Sequence, residues 1–283
     1  MFRLWNDKEK RLEEIKRQQP FRNVLIIRDA IALDTLRGHS GQSFKVISNT
    51  GKPFKLRYCF TLRVARSIER NVNIFPNAFP RFYGREGRYL LFDWINGTDL
   101  LTKEISLSEA YQIGKLLGEI NEGGEKVNDR KLRAFYQICF KEIREEKIFD
   151  NEIINKIEAL FLDLMKRLDI DIILDIQDTH PKNFVVDNHS KKVFYVDEEG
   201  LTHGVKGTGI NTFLQHFLKN DSAKKEAFWK GYNEHHSNDY FDRDYRKLTI
   251  ILQNIRMIYV KSKNGKKIDS WLTDQLIKLV RSG

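Results

Sequence analysis

Three polar residues flank a predicted β-hairpin late in the chain, and their types suit metal-assisted chemistry. Asp178 stands five residues before Asn183 at the hairpin entry, and Asp197 follows the hairpin exit. Two short apolar runs around the turn 188–190 indicate the hairpin itself. Because a hairpin returns the chain to its starting point, Asn183 and Asp197 are expected to lie side by side.

This cluster combines an amide oxygen with carboxylates, which are the hard ligands that Mg²⁺ prefers. A separate carboxylate such as Asp178 could orient or deprotonate an attacking hydroxyl. Asp and Asn are also ordinary turn residues, and each of the three taken alone is better explained that way. Their combination in this order around a hairpin favours a metal site that works on phosphates.

The first third of the chain contains groups that could hold phosphates. Residues 36–46 contain a turn of small residues between apolar segments, where backbone N–H groups could approach a phosphate closely. Taken alone, this segment is better explained as an ordinary turn. In the predicted strand that follows, Lys55 and Arg57 share one face. The next helix carries a single acid, Glu69, among several arginines, which predicts that it pairs with a strand cation. A solvated helix face explains Glu69 equally well.

The elements that must position these groups fall into two regions. Apolar runs predict strands at 24–28, 44–48, 54–59 and 88–94, with a helix at 62–71. After Gly97 the pattern is helical, with the hairpin as its only strand-like interruption. The capping box Ser106-Leu107-Ser108-Glu109 opens one helix. Long helices are predicted at about 131–147 and 152–168, and from 209 to the end.

We therefore predict an α+β chain with two lobes. A basic amphipathic segment at 1–22 precedes a small strand-rich N-lobe at 23–97 and a larger helical C-lobe at 98–283 that embeds the hairpin. The amphipathic segment is predicted to be a helix packed on the domain edge. Contact with an anionic membrane surface is the alternative, since aromatic residues with Lys and Arg also form the interfacial pattern.

Composition narrows the class of protein. The 283 residues carry a net charge of +10, from 49 Lys and Arg against 39 Asp and Glu. Such a balance is compatible with nucleic acid, anionic membranes or phosphate-bearing small molecules as partners, but no nucleic-acid motif is recognisable and no nucleic acid is expected.

The 2 cysteines exclude a disulfide scaffold or a Cys-based zinc site. With no secretory signal and no apolar run of about 18 residues, a cytoplasmic protein is expected.

Together these residues resemble the protein-kinase-like phosphotransferases of the aminoglycoside phosphotransferase and choline kinase branch. Residues 176–183 and 194–200 look like that branch's H-G-D-x-H-P-x-N and I-D-x-E pair. The segment 90–97 is similar to its strand-to-hinge segment ending in Gly, and 227–232 to a late helix often found there. His180 and the absence of an A-P-E element favour small-molecule kinases over Ser/Thr protein kinases.

The resemblance implies a role for each matching position. Asp178 would be the catalytic base or orient the hydroxyl, while Asn183 and Asp197 would be catalytic Mg²⁺ ligands and Glu199 a further metal ligand. Arg57 would contact the α- and β-phosphates of ATP, with Glu69 as its helix partner. The remaining nucleotide contacts would be a phosphate-covering loop that includes Gly38, Ser40, Gly41 and Ser43, and an adenine-facing segment that includes Phe92 and Trp94.

Three departures from the family pattern bear on activity. Arg57 stands where protein kinases place Lys, so a planar fork would replace a point charge. Ile176 and Gln177 replace the usual His and Gly before Asp178, which changes the internal bracing of that loop. Lys182 replaces a small residue beside the metal ligands and could supply charge to the transferred phosphate.

The resemblance implies ATP- and Mg²⁺-dependent transfer of the γ-phosphoryl group to a hydroxyl of a sugar or other small polyhydroxylated acceptor. The helices after residue 205 would form the acceptor pocket. Two alternatives stay open: a kinase of a protein or of a membrane-associated or cell-envelope glycan, and a nucleotide-binding pseudokinase. The basic first lobe motivates the former.

Overall fold

A computed structural model describes residues 8–33, 41–123, 130–218, 221–235 and 243–281. The chain divides into two compact units. The first unit holds residues up to Lys103 together with Lys182–Glu199, and the second holds Glu104–Pro181 and the chain from Gly200 onward. The boundary predicted near Gly97 therefore differs from the observed one, and the hairpin, expected in the second lobe, belongs to the first unit.

Helices and strands cover most of the described chain. In chain order they are α1 (Lys8–Gln18), β1 (Ile27–Ala32), β2 (Gly41–Ser48), β3 (Pro53–Cys59), α2 (Leu62–Ile74), β4 (Phe82–Glu86), β5 (Tyr89–Asp93), β6 (Gly97–Asp99), α3 (Leu107–Gly123), α4 (Arg130–Glu145), α5 (Asn151–Arg167), β7 (Ile172–Ile176), β8 (Phe184–Asp187), β9 (Val193–Tyr195), β10 (Leu201–Val205), α6 (Thr208–Thr212), α7 (Ser222–Tyr232), α8 (Arg243–Lys263) and α9 (Ser270–Arg281).

The first unit is built on an antiparallel sheet in the order β1-β2-β3-β5-β4. Alternate residues of the central strands, such as Phe44, Val46 and Leu56, are buried in its core. This alternation follows from the two-residue period of a strand. The strands β3 and β5 fall where the sequence predicts them, β2 begins three residues earlier and β1 three residues later than predicted, and β4 was not predicted.

The amphipathic helix α1 packs against this sheet. Ile15 is fully buried in the same core, and Leu12 is packed against it. The Arg11 guanidinium lies 3.8 Å from the centroid of the Tyr58 ring, a cation–π contact. The prediction of an edge helix is confirmed for the described part of the segment.

Strand pairing explains why the hairpin belongs to the first unit. β8 and β9 pair antiparallel with Phe184 opposite Tyr195, and β6 pairs with β8. The Tyr195 backbone N–H also donates to the Ala78 carbonyl at 2.9 Å, and the Tyr195 ring meets that of Phe79 edge-on at 6.0 Å. These contacts are far apart in sequence, so local patterning did not indicate them.

The second unit is mainly helical but contains a further two-stranded sheet, in which β7 and β10 pair antiparallel. The expectation that the hairpin alone interrupts the helices was wrong. All five residues of β7 are buried, and periodicity does not distinguish such a run from a buried helix. The predicted capping box at the start of α3 is confirmed, since Glu109 accepts from the Ser106 N–H at 2.8 Å. Among the helices of the described chain, none is both long and apolar enough to cross a membrane.

Candidate functional site

The candidate site of the first unit converges on Val196, the residue between the hairpin and Asp197. The Val196 N–H donates to the Asn183 carbonyl at 2.8 Å. Its carbonyl accepts from the Lys55 ammonium at 2.7 Å. The backbone next to Asp197 is therefore fixed both to the hairpin entry and to β3, and the predicted convergence of the two hairpin ends is confirmed at the level of the backbone.

Two acids directly after Asp197 meet the two cations of β3. Glu198 is fully buried, with 2.7 Å between its Oε1 and Lys55 Nζ and 3.5 Å between its Oε2 and Arg57 Nη1. Glu199 also contacts the Arg57 guanidinium. Lys55 and Arg57 project from the same face of β3, as their alternation predicts. Each buried charge in this cluster is compensated, which burial requires.

The predicted pairing of Glu69 with Arg57 is wrong. Glu69 Oε2 lies 2.5 Å from Arg85 Nε, and Arg85 belongs to β4. The reason is that α2 packs against β4, the strand that the sequence did not reveal, so this face of the helix meets β4. The partners of Arg57 and Lys55 are instead Glu198 and Glu199, the two acids that follow Asp197 in the chain. The sequence analysis assigned Glu199 to the metal.

The predicted phosphate-covering loop is only partly described. Gly38 and Ser40 lie outside the described residues, whereas Gly41 and Ser43 are the first and third residues of β2 and so are not in a loop. A Cβ on Gly41 would overlap the backbone carbonyl of Tyr58. The observed use of this glycine is therefore a close approach between β2 and β3.

The predicted adenine-facing segment begins inside the sheet. Phe92 is fully buried in β5, opposite Lys55 on one side and Phe82 on the other. The Asp93 N–H donates to the Arg81 carbonyl at 2.8 Å, so this donor belongs to the sheet. Trp94 follows the strand and is half-buried, with Lys45 Nζ 4.7 Å from its ring centroid.

The catalytic-loop candidate Asp178 belongs to the second unit, so the structure groups it apart from Asn183 and Asp197. Asp178 is half-buried, and its Oδ1 accepts from the His180 N–H at 3.2 Å. The Thr179 hydroxyl donates to the Gly209 carbonyl at 2.7 Å. A Cβ on Gly209 would overlap the Ile176 carbonyl, so the loop packs directly on α6.

A buried carboxylate, Asp175, braces this loop three residues before Asp178. Its side chain accepts from Asn121 Nδ2 at 2.8 Å and from the Gly207 N–H at 2.9 Å, and Asn121 in turn accepts from the Tyr232 hydroxyl at 3.0 Å. Burial raises the pKa of Asp175 to about 6, although these hydrogen bonds oppose the shift. Sequence reasoning missed Asp175, and its signal was a lone acid inside an apolar run.

Sequence comparison and structure comparison give different results. No protein-family model matches the chain, and no curated protein is significantly similar in sequence. The structure is similar to spectinomycin phosphotransferase solved with ADP and spectinomycin, at 15% identity and a TM-score of 0.60, covering 97% of this chain and 93% of that one. Choline kinase from Streptococcus pneumoniae is 13% identical with a TM-score of 0.63, and the match covers 96% of this chain and 100% of that one. Macrolide 2′-phosphotransferase from Brachybacterium faecium is 11% identical with a TM-score of 0.65, and the match covers 95% of this chain and 97% of that one.

The chain has the fold of these phosphotransferases. The predicted two-lobed, protein-kinase-like α+β fold and the resemblance to the aminoglycoside phosphotransferase and choline kinase branch are both confirmed at the level of structure. In this fold, the first unit of the chain contains the residues predicted to hold nucleotide and metal.

The donors available in the first unit fit Mg²⁺. Asn183 is buried and Asp197 half-buried, and both offer oxygen ligands. No group of three or more His, Cys, Asp or Glu side chains that could hold a metal is found in the part of the chain that the structure describes. Mg²⁺ typically takes one or two protein carboxylates and completes its shell with waters and phosphates. Glu199, the third predicted ligand, contacts Arg57 instead.

Proposed function

We propose that the chain is a phosphotransferase that moves the γ-phosphoryl group of ATP, with Mg²⁺, to a hydroxyl of a sugar or other small polyhydroxylated molecule. The observation that carries this proposal is the convergence on Val196, which places Lys55 and the Asn183 backbone beside Asp197. The fold supports the proposal, because the similar structures are named for phosphoryl transfer to spectinomycin, macrolides and choline.

Lys55 and Arg57 are the groups that would contact the phosphates of the nucleotide. A lysine supplies a compact charge and an arginine a planar fork that matches phosphate oxygens. Glu198 is buried and contacts both cations, and it would thereby orient them. The sequence assigned this task to Arg57 alone, and the geometry adds Lys55.

Asn183 and Asp197 would hold Mg²⁺, whose contribution to phosphoryl transfer is to neutralise charge on the phosphate oxygens. The backbone hydrogen bond from Val196 to Asn183 keeps these two ligands at neighbouring chain positions. Glu199 would keep its ion pair with Arg57.

Asp178 would accept or orient the proton of the acceptor hydroxyl. Its carboxylate is oriented by the His180 N–H, and the loop around it is anchored through Thr179 and Asp175. Most of the catalytic effect in this reaction class comes from positioning and electrostatic stabilisation. The buried Asp175 network would replace the bracing that a His before Asp178 usually gives.

The test is a phosphotransfer screen with labelled ATP and Mg²⁺ over aminoglycosides, amino alcohols, nucleosides and sugars. Asp178→Asn serves as the blank, and Asp163→Asn is the matched control because Asp163 is an exposed acid on α5. Transfer that is lost in Asp178→Asn and kept in Asp163→Asn supports the proposal. Full turnover by Asp178→Asn on the true acceptor would overturn the assigned role.

A nucleotide-binding pseudokinase is the second candidate. It is favoured by the ion pairs that already engage both Lys55 and Arg57 with Glu198 and Glu199. A thermal shift caused by ATP with Mg²⁺, without phosphate transfer or ATP hydrolysis under any screened condition, would favour this candidate over the enzyme.

A further inference from the structure

The second unit contains a cavity of about 650 Å³ bounded by α4, α8 and the strands β7 and β10. This volume is in the range of pockets that bind small molecules, about 300–1,000 Å³. Its walls combine apolar and aromatic side chains with a few polar groups. The lining residues are Arg130, Leu132, Phe135, Tyr136, Ile172, Gln177, Thr202, His203, Gly204, Val205 and Arg256.

The charged groups of the cavity are all of one sign. Arg130 and Arg256 contribute two permanent positive charges, and His203 adds an imidazole. No Asp or Glu lines the cavity within the described ranges. Phe135 and Tyr136 supply aromatic surface beside these cations. A cavity with this lining suits a ligand that carries an anionic group on a ring or carbon skeleton.

Arg256 is the side chain that most determines which ligand the cavity can bind. It is half-buried, and no hydrogen bond or ion pair joins its side chain to any residue of the described chain. Its positive charge lowers the pKa values of Tyr136 and Cys139, against the larger raising effect of burial. A partly desolvated guanidinium presents several donors in a fork that matches phosphate or carboxylate oxygens. Arg256 therefore gives the cavity a group that can bind an anion.

The cavity adjoins the proposed catalytic loop through Gln177. Gln177 lines the cavity and immediately precedes Asp178 in the chain. Its amide lies over Gly204, where a Cβ would come within 2.6 Å of Gln177 Nε2, and Nε2 is 3.4 Å from Asp175 Oδ2. Gln177 and Gly204 thus together shape one wall of the cavity.

We infer that this cavity binds an anionic group of the acceptor through Arg256, so that the acceptor is a sugar bearing a phosphate or carboxylate rather than a neutral or cationic sugar. The use of the cavity for the acceptor rests on the proposed phosphotransferase function, because its link to the acceptor is Gln177, the residue that precedes Asp178 in the chain. The anion site itself does not depend on that function.

The first experiment measures binding by calorimetry without nucleotide or Mg²⁺. The probes are glucose 6-phosphate, glucuronate, glucose and glucosamine, and their comparison separates phosphate from carboxylate recognition. Arg256→Gln is expected to weaken the anionic probes about 10- to 100-fold, the worth of a hydrogen-bonded charge contact. Arg246→Gln is the matched control, because Arg246 is an exposed residue of the same helix, and it should leave binding unchanged.

The location of the bound anion needs its own control, because Arg57 could also bind phosphate. A loss in Arg57→Gln with none in Arg256→Gln overturns the inference, as does binding of glucose or glucosamine equal to that of the anionic probes. Arg256→Lys, which keeps the charge but not the fork, should recover part of the affinity. If Arg256→Gln does not fold, Arg130→Gln tests the same wall.

Phosphotransfer assays then separate this inference from the proposed function. Transfer to a neutral or cationic sugar that is indifferent to Arg256→Gln would uphold the function and overturn the inference. Anion binding that depends on Arg256, without phosphotransfer to any screened acceptor, would uphold the anion site and remove the kinase assignment. Transfer to an anionic sugar with KM raised in Arg256→Gln, and unchanged in Arg246→Gln, supports both.

Discussion

Lys55 and Glu198 form a buried ion pair, with 2.7 Å between Nζ and Oε1 and side chains exposed by only 13% and 0%. The pair joins the middle of the sheet to the segment that follows Asp197. Arg57 adds a second cation at 3.5 Å from the other oxygen of Glu198. The carboxylate therefore balances charge from two cations in a site where neither is well solvated.

Neutralising Glu198 should destabilise the protein. In Glu198→Gln, Lys55 loses its carboxylate partner while remaining largely buried, and breaking a buried pair in this way costs about 3–5 kcal/mol. The control is Glu69→Gln, which breaks the more exposed pair with Arg85 and should cost less than about 1 kcal/mol. Urea unfolding of both variants measures the difference. Equal losses would contradict the central role of the buried pair.

The same two variants distinguish the observed pairing from the one that the sequence predicts. Glu198→Gln should raise the dissociation constant for ATP with Mg²⁺ by about tenfold or more, since Lys55 and Arg57 lose the group that orients them. Glu69→Gln should leave that constant unchanged, because its partner is Arg85. Nucleotide titration followed by intrinsic fluorescence gives both values. An effect confined to Glu69→Gln would restore the helix acid to the nucleotide site.

The difference between these two acids illustrates which parts of the structure the sequence could predict. The hairpin ends at Asn183 and Asp197 were predictable because a hairpin and its turn are local. The partner of Glu69 was not, because it depends on β4, whose pairing with β5 sets the face that α2 meets. Strand pairing between distant segments, as between β7 and β10, leaves no periodic signal when the strand is buried throughout.

The pKa of Asp175 predicts a pH dependence of stability. Burial raises this pKa to about 6 from an ordinary 3.8. Between these values the folded protein retains a proton that the unfolded chain has lost, so the stabilising contribution is full below pH 4 and is lost as pH rises through 6. A shift of this size corresponds to about 3 kcal/mol. The nearby cation Lys206 acts against the shift.

Asp175→Asn should remove this dependence. Because the amide does not titrate, the stability of the variant relative to the native protein should rise by up to about 3 kcal/mol between pH 4 and pH 7. Denaturant unfolding at several pH values measures the relative curve, and Asp163→Asn on the exposed face of α5 is the control. Parallel curves for Asp175→Asn and the native protein would place the titration elsewhere.

Asp175 also marks where motif reasoning stops. The replacement of the usual His by Ile176 was visible in the sequence, and it indicated that the bracing of the catalytic loop had changed. The replacement brace could not be predicted, because Asn121, Gly207 and Tyr232 come from three distant elements. An acid within an apolar strand was the available clue, since a buried carboxylate requires partners.

The contact between α3 and α7 depends on glycines that permit close backbone approach. A Cβ on Gly114 would overlap the carbonyl of Phe228, and one on Gly231 would overlap the carbonyl of Tyr111. Gly118, one turn after Gly114 on the same face of α3, is less tight, with 2.6 Å to the Tyr232 carbonyl. The spacing of Gly114 and Gly118 is visible in the sequence, although the helix that packs on them is not.

Gly114→Ala should therefore destabilise the protein, even though alanine favours a helix over glycine by about 1 kcal/mol. The added methyl meets a backbone carbonyl that only a shift of α7 can relieve, and overpacking of this kind costs about 1–3 kcal/mol. Gly118→Ala should cost less, because its obstruction is smaller. Lys230→Ala on the exposed side of α7 is the control and should change stability by less than about 0.5 kcal/mol. Thermal and urea unfolding rank the stabilities of the three variants. If Gly114→Ala proved more stable than the native protein, the prediction that close contact between α3 and α7 excludes a methyl group at this position would be wrong.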